Sequence, residues 1–322
     1  MENCPTISIV IPMRNEELYI SDCIEGFMSQ TYPSDSFNII VVDGMSEDKS
    51  VDIVKLYQKK YKNILLLDNK KKIASNGFNI GIKTSENDYV GIFSAHSVPS
   101  KDYIEVAIDT IQRSGAECVG GPMNAKSRNL VGSAISYATS VPFGIGASKF
   151  HYSKKEEFVE TVYQGIFDRK IFDRIGFFDE DLIRNQDDEM SYRIRKSGGK
   201  ILFNPQIKSI YHSRSTLVGL ARQYFQYGLY KPLVFKKLRY GMQVHHFIPS
   251  IFTLYILLFI NYYVYPAFYI PLAFYLATSI IYTFKAILNK APAMTFIIFP
   301  ILHISYGLGF LFGIPKMIAA SR

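Results

Sequence analysis

The sequence has no aspartate or glutamate after Glu189. All 28 acidic residues lie between Glu2 and Glu189, against 21 Lys and Arg over the same stretch. Residues 1–189 therefore carry −7, and residues 190–322 carry +15. A split of this size argues against one uniform globular domain. It points to an acidic front part that handles chemistry and a basic, apolar rear part that meets a membrane or a polyanion. Cysteine is scarce as well. Cys4, Cys23 and Cys118 are odd in number and widely spaced, which argues against a disulfide framework and against a Cys-x-x-Cys metal site. They are expected to be buried or incidental thiols. No charged-then-apolar leader opens the chain, because Glu2, Asn3 and Pro5 stand where one would begin. The front part is accordingly expected to stay in the cytoplasm. Also missing is a Gly-x-Gly-x-x-Gly after the first apolar run, where Pro12-Met13-Arg14-Asn15-Glu16 stands instead. That speaks against a dinucleotide-dependent oxidoreductase.

Charge is missing altogether from Phe247–Phe284, 38 positions, and from Ala291–Pro315, 25 positions. A bilayer core takes about 20 helical residues. The first stretch is predicted to hold two spans joined near Asn261–Pro266, and the second a third. Tyr262, Tyr263, Tyr265 and Tyr269 gather at the presumed turn, as an aromatic belt would. Lys231, Lys236, Lys237 and Arg239 precede the first span and hold that end in the cytoplasm, and Lys285 and Lys290 fit a return to the same side. A third crossing would put Lys316 and Arg322 outside, against that rule. The third segment is thus either a span or a re-entrant or interfacial helix. These stretches carry no acidic residue and His303 as their one histidine, which leaves little polar material for a channel or transporter.

The front part alternates strand and helix. Ile7–Ile11 and Asn38–Asp43 are β-branched runs, with further strands at Ile64–Leu67 and Asp88–Phe93. Helices are predicted at 16–30, from Ser46 as a cap to about Tyr61, and at 74–83. The pattern predicts an α/β fold with a mostly parallel sheet covered on both faces. Ligands of such sheets bind beyond the carboxyl ends of the strands, which focuses attention on Pro12–Glu16, Asp43–Ser46, Asp68–Lys72 and Ser94–Ser97. Farther on, Gly120-Gly121-Pro122 reads as a turn and residues 130–150 as a mobile loop rich in Gly, Ala and Ser. A helix is expected from the cluster Arg184–Glu189 to Lys196, stopped by Gly198-Gly199. A strand at Ile201–Phe203 and a basic, aromatic helix at Leu217–Tyr230 follow. At a strand end, Asp43 can accept hydrogen bonds from a base N–H or a sugar hydroxyl, or can simply brace the Gly44 bend. Glu16 has an equally plain alternative as a first-turn helix acid.

Several of these stretches together resemble family 2 glycosyltransferases of the GT-A fold. They are strand-Pro12-Met13-Arg14-Asn15-Glu16, Val41-Val42-Asp43-Gly44-Met45-Ser46-Glu47-Asp48, Asn76-Gly77-Phe78-Asn79-Ile80-Gly81, Phe177-Phe178-Asp179-Glu180 and Arg184-Asn185-Gln186-Asp187. Arg222-Gln223-Tyr224-Phe225-Gln226-Tyr227-Gly228 resembles a family segment near the acceptor. The last elements look most like membrane-attached enzymes that build exopolysaccharides of the succinoglycan type. The resemblance covers about residues 5–235. It implies a cytoplasmic GT-A domain over 1–235 and a membrane-anchoring segment of two to three apolar helices over 236–322. Pro12, Asn15, Glu16, Asp43, Ser46, Lys72 and Asn76 would serve the nucleotide-sugar. Asp187 would be the base that takes the proton of the acceptor hydroxyl in an inverting transfer; its plain alternative is a helix cap. Arg222, Gln223 and Tyr227 would meet the acceptor or its lipid diphosphate.

Two departures from the family pattern stand out. Where Asp-x-Asp would hold a divalent cation, Mg²⁺ or Mn²⁺, this chain has Ser94-Ala95-His96. A metal would then rest on His96, with His212 and the diphosphate itself, or Lys72 would neutralise the phosphates instead. Gln186 stands where the family often has Glu. The basic residues of the rear part fit anionic lipid better than nucleic acid, because apolar stretches follow them directly. The expected protein is an inverting transferase. It moves a sugar from a nucleotide-sugar, UDP-linked by analogy, to a lipid-linked glycan or surface polysaccharide. The alternative is a non-catalytic nucleotide-sugar-binding or scaffold subunit of a polysaccharide assembly complex.

Overall fold

The computed structural model describes residues 4–127, 129–146, 148–212, 216–238, 246–259 and 266–319. The chain divides into two compact units, Met1–Asn124 with Lys149–His212, and Ala125–Ser148 with Ser213–Arg322.

The first unit is α/β. Its strands are β1 (Ile7–Met13), β2 (Phe37–Asp43), β3 (Ile64–Asp68), β4 (Tyr89–Ile92), β5 (Ser97–Pro99), β6 (Cys118–Gly121), β7 (Met123–Lys126, in which the division between units falls), β8 (Glu157–Phe158), β9 (Tyr163–Asp168), β10 (Ile201–Phe203) and β11 (Ser209–His212). The main sheet runs β3-β2-β1-β4-β9-β6-β10-β8, and a smaller one runs β5-β11-β7. The β3-β2-β1-β4 half is parallel throughout, with Ile7 opposite Phe37 and Tyr89, and Ile39 opposite Ile64. β9 runs antiparallel to both β4 and β6, and β10 returns parallel to β6.

Alternate residues of each strand face opposite layers, and both layers are covered by helices. On one side Ile7, Ile9, Ile11 and Met13 pack with Cys23, Ile24 and Phe27 of α1 (Ile20–Met28). Val54 of α2 (Ser50–Lys60) joins that layer. On the other side Val10, Ile40 and Val42 meet Ile82 of α3 (Ala74–Thr84). α4 (Tyr103–Ser114) adds Ile104, Ala107, Ile108 and Ile111 to the first layer. Two-sided burial is why these strands read as continuous apolar runs. Cys23 and Cys118 are buried, and burial pushes both thiols above their ordinary range. Such thiols behave as packing groups rather than nucleophiles.

Glycine sets how closely α3 approaches β1. A Cβ at Gly81 would lie 2.3 Å from Val10 Cγ1, and one at Gly77 would lie 3.1 Å from Pro12 Cβ. The Asn76–Gly81 stretch therefore carries a smooth face that lets helix backbone rest on the strand. The same cause corrects the reading of Gly120-Gly121 as a turn. Both lie in β6, and a Cβ at Gly121 would fall 1.6 Å from the Ile207 carbonyl oxygen. Glycine is needed there for crowding and not for a bend. Ser46 does not cap a helix either. α2 begins at Ser50, because the Ser46 hydroxyl is taken by the Asp43 carboxylate. The helix expected up to Lys196 is present over Gln186–Lys196.

The second unit is helical. The stretch expected to be a mobile loop forms α5 (Leu130–Ala138) and α6 (Pro142–Ile145). Asn129 Oδ1 accepts from Gly132 N at 2.8 Å to start α5. Ala134, Ile135 and Ala138 recur at helical spacing and are buried against Ile298, Phe299 and Leu302. Small residues, which read as loop in sequence, serve here as a close-packing face. Between α6 and the rear helices the first unit contributes α7 (Lys170–Ile175) and α8 (Gln186–Lys196). α9 runs Leu217–Leu238, past the expected end at Tyr230 and through Pro232. α10 (Ile248–Phe259), α11 (Ile270–Leu288) and α12 (Thr295–Ala319) follow. Among the described residues two stretches, Pro266–Leu288 and Thr295–Ile318, are long and apolar enough to cross a membrane. α10 is an apolar helix over its 12 described residues. The expected connection at Asn261–Pro266, with Tyr262, Tyr263 and Tyr265, lies outside the described residues except for Pro266, as do Arg239 and Arg322. α9 and α12 meet through glycine: a Cβ at Gly309 would lie 2.0 Å from the Phe225 carbonyl oxygen, and one at Gly313 2.4 Å from that of Leu229.

The contact of α3 with β1 yields a test. Gly81→Ala is expected to lower unfolding free energy by about 1–3 kcal/mol through overpacking. Val10→Ala in the same chain should restore part of the loss. Denaturant titration of the three variants measures this, and an undiminished Gly81→Ala midpoint would contradict the packing described.

Candidate functional site

The loops beyond β1, β2 and β3 are fastened to one another. Asn15 follows β1 and takes the left-handed φ of 54°. Its N–H donates to Ser46 Oγ at 2.9 Å, and its Oδ1 accepts from Glu47 N at 2.8 Å. The Glu16 N–H donates to Ser50 Oγ at 2.7 Å. Asp43, buried at the end of β2, accepts from Ser46 N at 3.0 Å and Ser46 Oγ at 2.5 Å. Both bonds close its own turn, so the bracing role holds in this conformation. Pro12 lies under α3 beside Gly77. Lys72, beyond β3, is exposed with a φ of 60°, and its N–H donates to Asn69.

Left-handed backbone marks these loops more sharply than any motif. Met45 has φ 61° and Asn185 φ 61°. Asn15, Met45 and Lys72 thus follow three adjacent parallel strands, and Asn185 immediately precedes α8. Strained residues of this kind gather at functional sites. The sequence carried no signal for Met45 or Lys72, because only Asn among these types favours the conformation. Gln164 in β9, with φ 51°, is another that sequence reasoning missed. Its Oε1 accepts from Ser209 Oγ at 3.0 Å, while its Nε2 is buried with no hydrogen-bond partner among the described residues.

At the Asp-x-Asp position the structure builds a different group. His96 Nδ1 meets Glu16 Oε1 at 2.9 Å, and its Nε2 meets Ser94 Oγ at 3.0 Å. Tyr19 stacks on the His212 ring at 5.1 Å, and the His212 N–H donates to the His96 carbonyl at 3.1 Å. The structure thus brings Glu16, Ser94, His96 and His212 to one place. Among the described residues, however, no three His, Cys, Asp or Glu side chains form a group able to hold a metal ion. His96 has both ring nitrogens engaged. The donor set does not fit a protein-held Mg²⁺ or Mn²⁺, which prefer several carboxylate or carbonyl oxygens.

The element Phe177–Glu180 comes to the same end of the sheet. Glu180 Oε2 accepts from Lys71 Nζ at 2.6 Å, and its Oε1 accepts from Asn76 at 2.9 Å and Asn79 at 3.0 Å. Asn79 also pairs with the Phe178 backbone in both directions, at 2.8 and 2.9 Å. Asn76, expected to serve the nucleotide-sugar, therefore donates to Glu180 here. Lys71 first, then Asn79 and Asn76, hold the Glu180 carboxyl far below its usual range, at about 2. Asp187 lies in the first turn of α8 and is exposed, with its Oδ1 accepting from Asp188 N at 3.0 Å. Gln186 Oε1 beside it is buried and has no hydrogen-bond partner among the described residues. Arg222, Gln223 and Tyr227 lie on α9 in the helical unit, where Gln223 Nε2 donates to Tyr227 OH at 2.8 Å.

A mostly parallel sheet with its polar loops joined beyond the strand ends offers a ligand site at the carboxyl ends of its strands. The family model for Glycosyl transferase family 2 matches residues 8–176, and the chain belongs to that family. It is similar to the dolichyl N-acetyl-alpha-D-glucosaminyl phosphate 3-beta-D-2,3-diacetamido-2,3-dideoxy-beta-D-glucuronosyltransferase of Methanococcus voltae, at 37% identity over 72% of this chain and 74% of that one. Similarity to the succinoglycan biosynthesis protein ExoA of Rhizobium meliloti is 28% identity over 68% and 67%. In fold it is similar to the mannosyltransferase PcManGT from Pyrobaculum calidifontis, solved with GDP-Man and Mn²⁺, with a TM-score of 0.63 at 16% identity over 98% of this chain and 88% of that one. S. aureus TarS 1-349 with UDP-GlcNAc gives 0.53 at 14% identity over 98% and 92%. The expected family, the GT-A type of fold and the succinoglycan-type relationship are all found, and the chain is a glycosyltransferase.

The low Glu180 pKa sets a pH dependence of stability. The folded value lies below the unfolded one, so the contribution is complete above about pH 4.5 and is lost as pH falls through about 2. Its size is on the order of 2 kcal/mol, reduced from the full shift because Lys71 faces solvent. Urea titrations from pH 6 to 2 should show wild type losing stability relative to Glu180→Gln over that window. Parallel curves would count against the clamp.

Proposed function

We propose that the protein is an inverting glycosyltransferase that moves a sugar from a UDP-linked donor to a lipid-linked glycan or growing surface polysaccharide. The observation that carries this reading is the bonding of Glu180 to Lys71, Asn76 and Asn79, about 100 residues away in sequence. It draws the stretch leading to Asp187 onto the strand-end loops. The relatives support the acceptor class: one is named for a dolichyl-phosphate-linked sugar acceptor and another for succinoglycan biosynthesis.

In this reading Asn15, Glu16, Asp43, Ser46 and Lys72 serve the donor, with Pro12 and Asn76 shaping the pocket. Asp43 exchanges its bonds to Ser46 for uracil or ribose when the nucleotide enters. Asp187 takes the proton from the acceptor hydroxyl as that oxygen attacks the anomeric carbon, and UDP leaves with the electron pair of the broken bond. Because Glu16 and His96 do not fit a protein-held Mg²⁺, charge on the diphosphate falls to Lys72 and to any divalent cation that the diphosphate brings with it. The working domain runs over residues 1–235 on the cytoplasmic face, where nucleotide-sugars are found. The helices beyond it anchor the chain by crossing the membrane more than once, and Arg222, Gln223 and Tyr227 meet the acceptor diphosphate.

The test is a donor screen scored by nucleotide release, with dolichyl-phosphate-linked acceptor supplied and Mg²⁺ and Mn²⁺ varied. Asp187→Asn is expected to lower turnover by about 10²–10⁴ while UDP affinity stays within about twofold. Wild-type turnover in purified Asp187→Asn would remove the base assignment. Release from GDP-linked and not UDP-linked sugars would remove the donor assignment.

A further inference from the structure

The loop that leads to Asp187 begins and ends on one side chain. Arg193, on the last turn of α8, has five N–H donors, and all five are used. Nε donates to Glu189 Oε1 at 2.6 Å and Nη2 to Glu189 Oε2 at 2.8 Å. Nη2 also donates to the Phe177 carbonyl at 2.8 Å, and Nη1 to those of Ile175 at 2.6 Å and Gly176 at 3.3 Å. Three successive carbonyls turn toward one guanidinium because Gly176 adopts φ 79°, a conformation in which a side chain would be strained. The Glu189 side chain is 6% exposed and that of Arg193 23%, so water competes little for these bonds.

The consequence lies in what is enclosed. Residues 178–188 run from the Phe177 carbonyl to the first turn of α8, and the guanidinium holds both ends. In between, Phe178 and Glu180 are tied to Asn79, Asn76 and Lys71, and Asn185 takes its left-handed turn into the helix. Asp187 sits inside that closed span, two residues before Glu189. A planar fork with fixed donor directions sets such a geometry in a way that a flexible ammonium cannot.

We propose that Arg193, through Glu189 and the carbonyls of residues 175–177, is a positioning residue that fixes where α8 presents Asp187 to the acceptor hydroxyl. The inference rests on the reading of Asp187 as the base. Misplacement of a reacting group by about 1 Å costs about 10²-fold in rate. Loss of this clamp should therefore appear in turnover and not in donor binding.

The test uses the purified full-length protein, UDP for binding, and for turnover whichever UDP-sugar gives most nucleotide release in the screen above. Arg193→Lys and Glu189→Gln should each lower kcat by about 10–100-fold at saturating donor, with UDP Kd within twofold. In the cycle with Asp187→Glu, which keeps a carboxylate at a shifted position, the double variant Asp187→Glu/Arg193→Lys should be little slower than the worse single variant, because both changes spoil the same alignment. Unchanged kcat in Arg193→Lys, multiplicative losses in the double variant, or UDP binding lost in parallel with turnover in both variants would each overturn the proposal. Wild-type turnover in Asp187→Asn would sink the base assignment beneath it. A dead Asp187→Asn with a fully active Arg193→Lys would sink this inference alone.

Discussion

The carboxylate of Glu180 fastens the segment that leads to Asp187 onto the strand-end loops of the candidate site. One side chain accepts three hydrogen bonds from the segment that follows β3, and by doing so joins two parts of the chain that folding must bring together from about 100 residues apart. An isolated surface ion pair of this kind contributes little. The difference here is multiplicity: the two oxygens are satisfied by an ammonium and two amides, and the backbone pair between Asn79 and Phe178 runs alongside. Because α3 carries both amides, its close seat on β1 becomes a condition for the site. Gly77 and Gly81 therefore matter to chemistry they never touch.

A second constraint is strain held in common. Three adjacent parallel strands are each followed within a few residues by a non-glycine residue with left-handed φ, and the loops after β1 and β2 are bonded to each other rather than to solvent alone. Each such residue costs about 1 kcal/mol or more. Crossed bonds between Asn15 and the Ser46–Glu47 backbone and hydroxyl are what make that cost tolerable. The result is a rim whose backbone groups are already oriented.

The α/β frame was legible because two-sided burial leaves an unmistakable trace: Ile7–Ile11 and Asn38–Asp43 are apolar at nearly every position. The strand-end positions were legible for the same reason, since they simply follow those runs. What failed to show was whatever depends on the far side of a contact. Gly121 looks the same in sequence whether it bends the chain or makes room for Ile207. Ala134 and Ala138 look like loop until Phe299 and Leu302 stand against them. Ser46 has the chemistry of a cap, and only the neighbouring Asp43 diverts it. Arg193 was least visible of all, because most of its partners are backbone carbonyls, which any residue type provides.

The glycines of α12 have a consequence for how the helical unit tolerates its surroundings. Gly309 and Gly313 let the backbone carbonyls of Phe225 and Leu229 come so near that α9 and α12 touch main chain to main chain. Contact of that kind draws on dispersion and weak polar attraction, which hydrocarbon weakens little and water strengthens little. The pair is in this sense amphibious. It can keep one geometry whether hydrocarbon or water surrounds it.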